Sequence, residues 1–277
     1  IIFAHIIKHR QNGAMMVDEI NYHKTPDEAN TIFKKITERC DFYNVFSAVR
    51  YNEVLSDLSW QDFIEFSNFL RINGVEHFNQ EALQNILEGS VATSKRAING
   101  QYTTPTELAK LLVRLTVRDW SDMILDCCCG TGTIPKEAIQ IKKSQMTTKD
   151  AVETVWACDK NNYPLQVANI SMTGSDTINI ANRLFQHNAL NLNIGEKIKI
   201  INPEMGDIMT LSLPNFGAVV SNLPFVPFEI IPDDDKAEIS KMPLADNLDG
   251  RSDLYCYIAA KIADVIKPGG MLGIIVS

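Results

Sequence analysis

The sequence predicts an α/β protein: a parallel sheet wrapped by helices, preceded by an α-helical N-terminal region. Three observations carry this. From about residue 100, apolar strand-like runs alternate with stretches of helical period, the pattern of strand–helix–strand crossovers. One run passes straight into a glycine turn, LDCCCGTGTIP (Leu125 to Pro135). Before residue 95 the helical signals meet no strand signal of comparable strength.

The bulk numbers agree with this class. The chain has 277 residues, 45% hydrophobic and 22% charged, enough for one large domain with a smaller one attached. No apolar run approaches the roughly 18 residues of a membrane span, so no membrane partner is expected. The opening IIFAHIIKHR has the wrong length and flanks for a signal peptide, and there is no initiator Met; a fragment or a late start is expected. The net charge is −8. A protein that grips nucleic acid unaided usually shows a basic balance, so phosphate contacts, if made, are expected from a partner, another segment or a local patch.

The helical region is read as residues 1–95. TPDEANTIFKKITERC opens with Thr25 as N-cap and Pro26 at the first helical position. SWQDFIEFSNFLRING places Ser59 ahead of an apolar stripe of Phe63, Phe66, Phe69 and Leu70, all expected in the core, and ends in the C-cap signal Asn73-Gly74. NQEALQNILEGS repeats the pattern.

The second region is read as residues 96–277. TPTELAKLLVRLTV is a helix with Thr104 or Thr106 near its cap. DMILDCC is a strand and TIPKEAIQIKK a helix; TVWACD and NYPLQVANISM repeat the pair. DTINIANRLFQHNAL reads as helical, and KIKIIN and FGAVVSN as the third and fourth strands. IPDDDKAEISKMPLADNLDGRS is a long polar loop. SDLYCYIAAKIADVI is a helix starting at Ser252, KPGG a turn and MLGIIVS a last strand.

Chemistry concentrates at the strand ends. Asp126 closes the first strand, and Gly130 and Gly132 let the chain turn into a helix whose N-terminal amides face the sheet edge where ligands bind. Asp159 closes the second, placed to accept hydrogen bonds from a ribose diol, although the interval exceeds the usual ~20 residues. The spacing is not that of a dinucleotide loop. SNLPF (Ser221 to Phe225) follows the strand FGAVV. The Asn222 carbonyl oxygen can accept hydrogens from an amine, Pro224 stiffens the turn, and Phe225 can stack on a base. Six cysteines occur: Cys40, Cys127, Cys128, Cys129, Cys158 and Cys256. Adjacent strand residues point to opposite faces, so reduced thiols are expected and no metal site. His5, His9, His23, His77 and His187 are scattered and read as structural or surface residues.

Taken in order, GQYTTP, DCCCGTG, ACDKN, MGDIM, SNLPF and the final helix and strand resemble the N6-adenine DNA methyltransferases, and in particular the modification subunits of type I restriction-modification systems. SNLPF resembles their (Asp/Asn/Ser)-Pro-Pro-(Tyr/Phe) motif, with Leu223 where the first proline is usual; Cys127 likewise replaces a common proline. The resemblance covers about residues 95 to 277. It implies a Rossmann-like sheet that binds S-adenosylmethionine. Tyr102, Thr103, Thr104 and Pro105 would lie against its methionine end. Asp126, Gly130, Thr131 and Gly132 would form the loop beneath it. Asp159 would hold the ribose hydroxyls, and Asp207 would approach the cofactor's adenine amine. Asn222, Pro224 and Phe225 would handle the target adenine.

The implied function is methylation of adenine N6 in double-stranded DNA, in the cytoplasm, within a restriction-modification system. The implied partners are a specificity subunit or recognition domain and a restriction subunit. The family's sheet usually continues past MLGIIVS, so the domain is expected to be incomplete at its C-terminal end. Two alternatives stay open. RNA guanine and protein glutamine methyltransferases carry motifs like SNLPF, and Leu223 is compatible with an inactive scaffold.

Overall fold

The computed structural model describes residues 24–29, 31–32, 60–74, 82, 103–174, 176–177, 179–201, 208–243, 248 and 250–276. The 95/96 boundary, NQEALQNILEGS apart from Ala82, Tyr102 and Asp207 lie outside them.

Near the N-terminus, Thr25 caps a helical turn as expected. Its Oγ1 accepts from the Glu28 amide at 3.3 Å, and the Glu28 carboxylate accepts from the Thr25 amide at 2.8 Å, a reciprocal capping box. Helix α1 (Trp60–Asn73) buries Phe63, Ile64, Ser67 and Leu70 and ends before Gly74 at φ 60°. The expected stripe is corrected here: Phe66 is 37% exposed and Phe69 55%. At about 100° per residue, Phe63, Ile64, Ser67 and Leu70 share one face, whereas Phe69 falls nearly opposite it.

The remaining elements are α2 (Thr106–Thr116), β1 (Ile124–Asp126), α3 (Thr133–Lys142), α4 (Thr148–Glu153), β2 (Val155–Asp159), α5 (Asn162–Met172), β3 (Arg183–Gln186), β4 (Lys197–Ile201), β5 (Ile208–Ser212), β6 (Phe216–Asn222), α6 (Asp233–Ile239), α7 (Leu254–Ile262) and β7 (Ile266–Ile275). Five strands form one sheet in the order β3-β2-β1-β6-β7, every neighbouring pair parallel. The chain winds outward from β1 in both directions, which makes the carboxyl edge beside β1 a topological switch point.

Strand alternation divides the core into two layers. Ile124, Val155, Ala157, Ala218 and Val220 face α2, α3 and α5 in one cluster. Leu125, Trp156, Cys158, Phe216 and Val219 face α7 and the β4–β5 hairpin in the other. Trp156 meets Phe185 and Phe216 edge-on, with centroids 6.4 and 6.2 Å away.

Four expectations are corrected. The helical reading of DTINIANRLFQHNAL fails because Asn182 anchors the segment to the end of α5. Its amide donates to Asn169 Oδ1 at 2.8 Å and Thr173 Oγ1 at 2.9 Å, and Arg183 to Gln186 then pair with β2. KIKII therefore is not the third strand of the sheet. It pairs antiparallel with β5, burying Ile198 and Ile200 on its covered face. KPGG is not a turn but part of β7, where Gly269 at φ 77° accompanies a register shift against β6. The long polar segment after β6 contains α6. Thr104 and Thr106 flank the N-cap of α2 as expected; the cap itself is Pro105, with no side-chain capping bond.

Among the described residues no helix is long and apolar enough to cross a membrane.

Candidate active site

A pocket lies along the carboxyl edge of the sheet. Its lining includes Cys127, Cys128 and Gly130 after β1, Asp159 to Asn161 at the end of β2, Asn188 after β3, and Asn222 to Pro224 at the end of β6. Pro232 and Asp235 cover it from the α6 side, and Leu254 and Ile258 from α7.

The glycine turn is braced by Asp159, whose Oδ2 accepts from the Gly130 amide at 3.1 Å and Oδ1 from the Asn161 amide at 2.8 Å. Burial raises the Asp159 carboxyl above its ordinary value, and those two amides oppose the shift. Gly130 adopts φ 50°, and a Cβ there would meet nothing within 4 Å, so the open space lies on the pocket side. Gly132 has a different task. At φ 86° it is the N-cap of α3, and a Cβ would come within 2.9 Å of Ala168 Cα. The residue lets α3 approach α5 and does not line the pocket.

Asp126 lies beneath the turn. Its Oδ1 accepts from Ser221 Oγ at 2.6 Å and the Cys128 amide at 3.3 Å, tying β1 to the strand that ends in Asn222. Burial pushes its pKa up to about 7, against these hydrogen bonds and with help from nearby Asp159.

Asn222 is the meeting point of distant segments. Its Nδ2 donates to Thr104 Oγ1 at 3.1 Å, which fixes the amide. Its Oδ1 is buried with no partner among the described residues. A buried carbonyl oxygen left unpaired costs about 1–3 kcal/mol and calls for explanation at a site. Next to it, Leu223 is 1% exposed and its amide donates to the Ile275 carbonyl at 3.2 Å. A proline has no such donor; leucine instead extends the β6–β7 ladder by one bond and fills the core.

Thr104 and Asn222 are thus brought together, and Gly130, Asp159, Asn222 and Pro224 share one pocket. Thr103 and Pro105 are exposed. Phe225 is partly buried beside Pro224 and does not line the pocket. The cysteines are thiols held in place. Burial raises Cys129 and Cys158 well above the ordinary range, and a hydrogen bond with Cys127 followed by burial does so for Cys128. Among the described residues no group of three or more His, Cys, Asp or Glu could hold a metal ion.

Three pocket residues escaped the sequence reading: Lys160, Asn188 and Asp235. Lys160 Nζ bonds Asp234 Oδ2 at 2.6 Å and Asp235 Oδ1 at 2.8 Å. Burial depresses the Lys160 ammonium, and the two carboxylates outweigh it, leaving its pKa above the ordinary value. Lys160 was findable as the residue after Asp159. Asn188 was hidden by the helical reading of its segment, and Asp235 by the reading of its segment as a long polar loop.

Residues 94–227 match the family model described as UPF0020, RMKL-like, methyltransferase domain. Over those residues the chain is similar to a methyltransferase domain. Two solved structures share its fold. A protein from Listeria monocytogenes described as a class I S-adenosylmethionine-dependent methyltransferase matches with TM-score 0.50 and 16% identity, over 98% of this chain and 71% of that one. The methyltransferase subunit of a type I restriction-modification system from Streptococcus thermophilus matches with TM-score 0.57 and 13% identity, over 98% of this chain and 54% of that one. No match was found among curated proteins. The sheet has the Rossmann-like fold of these two structures. The pocket fits S-adenosylmethionine, the group named in the description of the Listeria monocytogenes protein: a carboxylate at the end of β2, open space over Gly130, and a buried oxygen at the end of β6 that has no partner among the described residues.

Proposed function

We propose that the chain binds S-adenosylmethionine and transfers its methyl group to N6 of adenine in double-stranded DNA, as the modification subunit of a restriction-modification system. The carrying observation is Asn222, whose buried Oδ1 has no partner among the described residues while Thr104 holds its Nδ2. An exocyclic amine is a poor nucleophile because its lone pair is delocalised into the ring. An acceptor fixed at that amine holds it with the lone pair aimed into the pocket.

The bound cofactor supplies an electrophilic methyl group. The chain's own residues do the positioning. With the cofactor bound, Asp159 would accept from the ribose hydroxyls, Gly130 and Thr131 would form the floor over Asp126 while Gly132 carries the turn into α3, and Tyr102, Thr103, Thr104 and Pro105 would flank the methionine end. Asn222 orients the target amine, Pro224 stiffens its turn, and Phe225 is the residue to stack on an extruded base. The acidic balance of the chain favours DNA recognition by a specificity subunit or recognition domain, with a restriction subunit as a further partner and the cytoplasm as the location. The likeness of fold to the Streptococcus thermophilus subunit supports the same reading.

The test is transfer of a labelled methyl group to duplex DNA, RNA and protein, with the modified base identified by mass spectrometry. N6-methyladenine in DNA, lost in Asn222→Ala, is expected. Transfer to RNA or protein and not to DNA would overturn the substrate assignment, and cofactor binding without any transfer would identify a scaffold.

A further inference from the structure

Cys127 and Cys128 are neighbours in the chain, and on a strand their side chains would turn to opposite faces. The structure turns them together. β1 ends at Asp126, and both cysteines lie in the turn that follows, bent by the Cys128 amide donating to Asp126 Oδ1 at 3.3 Å. Cys127 Sγ is 4.0 Å from Cys128 Sγ. Both are free cysteines, and both line the sheet-edge pocket. The pair is a vicinal dithiol on a cavity wall.

Geometry selects what this pair takes. A disulfide between the two is disfavoured, because consecutive Cα atoms are about 3.8 Å apart and a disulfide ordinarily needs at least about 4.4 Å. Structural metals want four ligands, and among the described residues no group of three or more could supply them. A single thiophilic atom between the sulfurs fits. Two bonds of about 2.3 Å, the length of a thiolate bond to zinc, reach across the 4.0 Å gap. Trivalent arsenic that already carries one carbon substituent needs only two sulfurs. Its condensation with thiols also suits thiols that stay protonated. A hydrogen bond with Cys127, followed by burial, holds the Cys128 thiol well above the ordinary range, which disfavours the thiolate that oxidants attack.

We propose that Cys127 and Cys128 form a dithiol site for monosubstituted trivalent arsenicals, and that its occupation closes the sheet-edge pocket. Two arsenic–sulfur bonds form and the arsenic–oxygen double bond breaks. The oxygen leaves as water with both thiol protons. Arsenic stays trivalent, and no electrons are transferred. The bound group then stands in the pocket that Gly130, Asp159 and Asn222 also line. Exclusion of S-adenosylmethionine by the adduct rests on the proposed function; formation of the adduct does not.

The test treats the chain with phenylarsine oxide in excess glutathione, a monothiol that strips adducts held by one sulfur, and reads intact mass and peptide maps. A single phenylarsine adduct is expected on the peptide holding Cys127 and Cys128, removed by dithiothreitol. Cys128→Ala should lose the adduct. Cys256→Ala, which removes a thiol on α7, should keep it. Ligand-free melting checks that each variant is folded, and the peptide map of the unaltered chain decides if Cys128→Ala is not. No adduct on the unaltered chain, an adduct mapped to other cysteines, or one retained by folded Cys128→Ala would overturn the proposal. By calorimetry the adduct should lower S-adenosylhomocysteine affinity by about tenfold or more, and that ligand should slow adduct formation. An adduct that leaves the affinity unchanged would overturn the closing of the pocket. Failure of the untreated chain to bind S-adenosylhomocysteine at all would instead overturn the reading of the pocket, and the peptide map would still decide the dithiol site.

Discussion

Thr104 Oγ1 accepts a hydrogen bond from Asn222 Nδ2 at 3.1 Å although the two residues are 118 positions apart. The bond joins the loop before α2 to the end of β6 and orients an amide whose oxygen has no partner among the described residues. Under the proposed function Thr104 is a positioning residue. Thr104→Val removes the acceptor and should lower the transfer rate about tenfold, the effect of one lost hydrogen bond of ~1.4 kcal/mol. S-adenosylhomocysteine affinity should stay within about twofold, and Thr104→Ser should restore the rate. Equal loss in the Ser and Val variants would show that the hydroxyl does not act through Asn222.

Asn222→Ala should abolish methyl transfer, a fall of at least about 100-fold, and leave S-adenosylhomocysteine affinity within about twofold. Single-turnover transfer and calorimetry on the same preparation check both halves. Retained transfer would remove Asn222 from the catalytic role.

Leu223 stands where the resembled family has proline, and its substitution should test stability before activity. Leu223→Pro removes the amide donated to Ile275 and a side chain that is 1% exposed. The cost should be about 2–4 kcal/mol in urea denaturation. A neutral or stabilising result would show that β6 and β7 do not depend on that bond.

The two glycines should separate in the same assay. Gly132→Ala drives a Cβ to 2.9 Å from the Ala168 backbone at φ 86° and should destabilise by about 2–4 kcal/mol. Gly130→Ala meets no atom within 4 Å and should cost only ~1 kcal/mol of left-handed strain, while weakening S-adenosylhomocysteine binding by filling the pocket side. Equal destabilisation by the two would contradict the packing role given to Gly132.

Asp126 makes the ligand-free chain less stable as pH rises. Its pKa is about 7 in the folded chain against an ordinary 3.8. Between these values the folded state holds more protons than the unfolded one, so stability declines across that window. Asp159, also raised by burial, adds to the decline in the same direction. Asp126→Asn keeps an acceptor for Ser221 Oγ and should give a shallower decline from pH 5 to 7 in denaturation midpoints. An unchanged slope would mean that Asp126 does not carry that proton.

The strand–turn–helix unit around Asp126 was legible because its determinants are local. A run of apolar residues, two glycines able to adopt positive φ and a following helical period lie within a dozen positions. The same holds for β2 with Asp159, for α5 and for β6. The third sheet strand was not legible. Arg183 to Gln186 is short and at the sheet edge, and its extended form depends on Asn182 bonding to Asn169 and Thr173. The apolar-polar alternation of KIKII spoke truly of a strand, but alternation gives no partner, and this one pairs in a hairpin.

The sequence by itself therefore determined the class of sheet, the carboxyl-edge acids and the amide of Asn222, since each follows from side-chain type and near-neighbour spacing. Only the tertiary structure decided what those groups touch. It set Thr104 on Asn222, gave Gly132 to helix packing and Gly130 to the pocket, and brought Asp235 from an acidic segment to Lys160 and Asn188. Those contacts form between residues far apart in the chain. Their energies depend on burial and geometry, and both appear only when the two core layers close around the sheet.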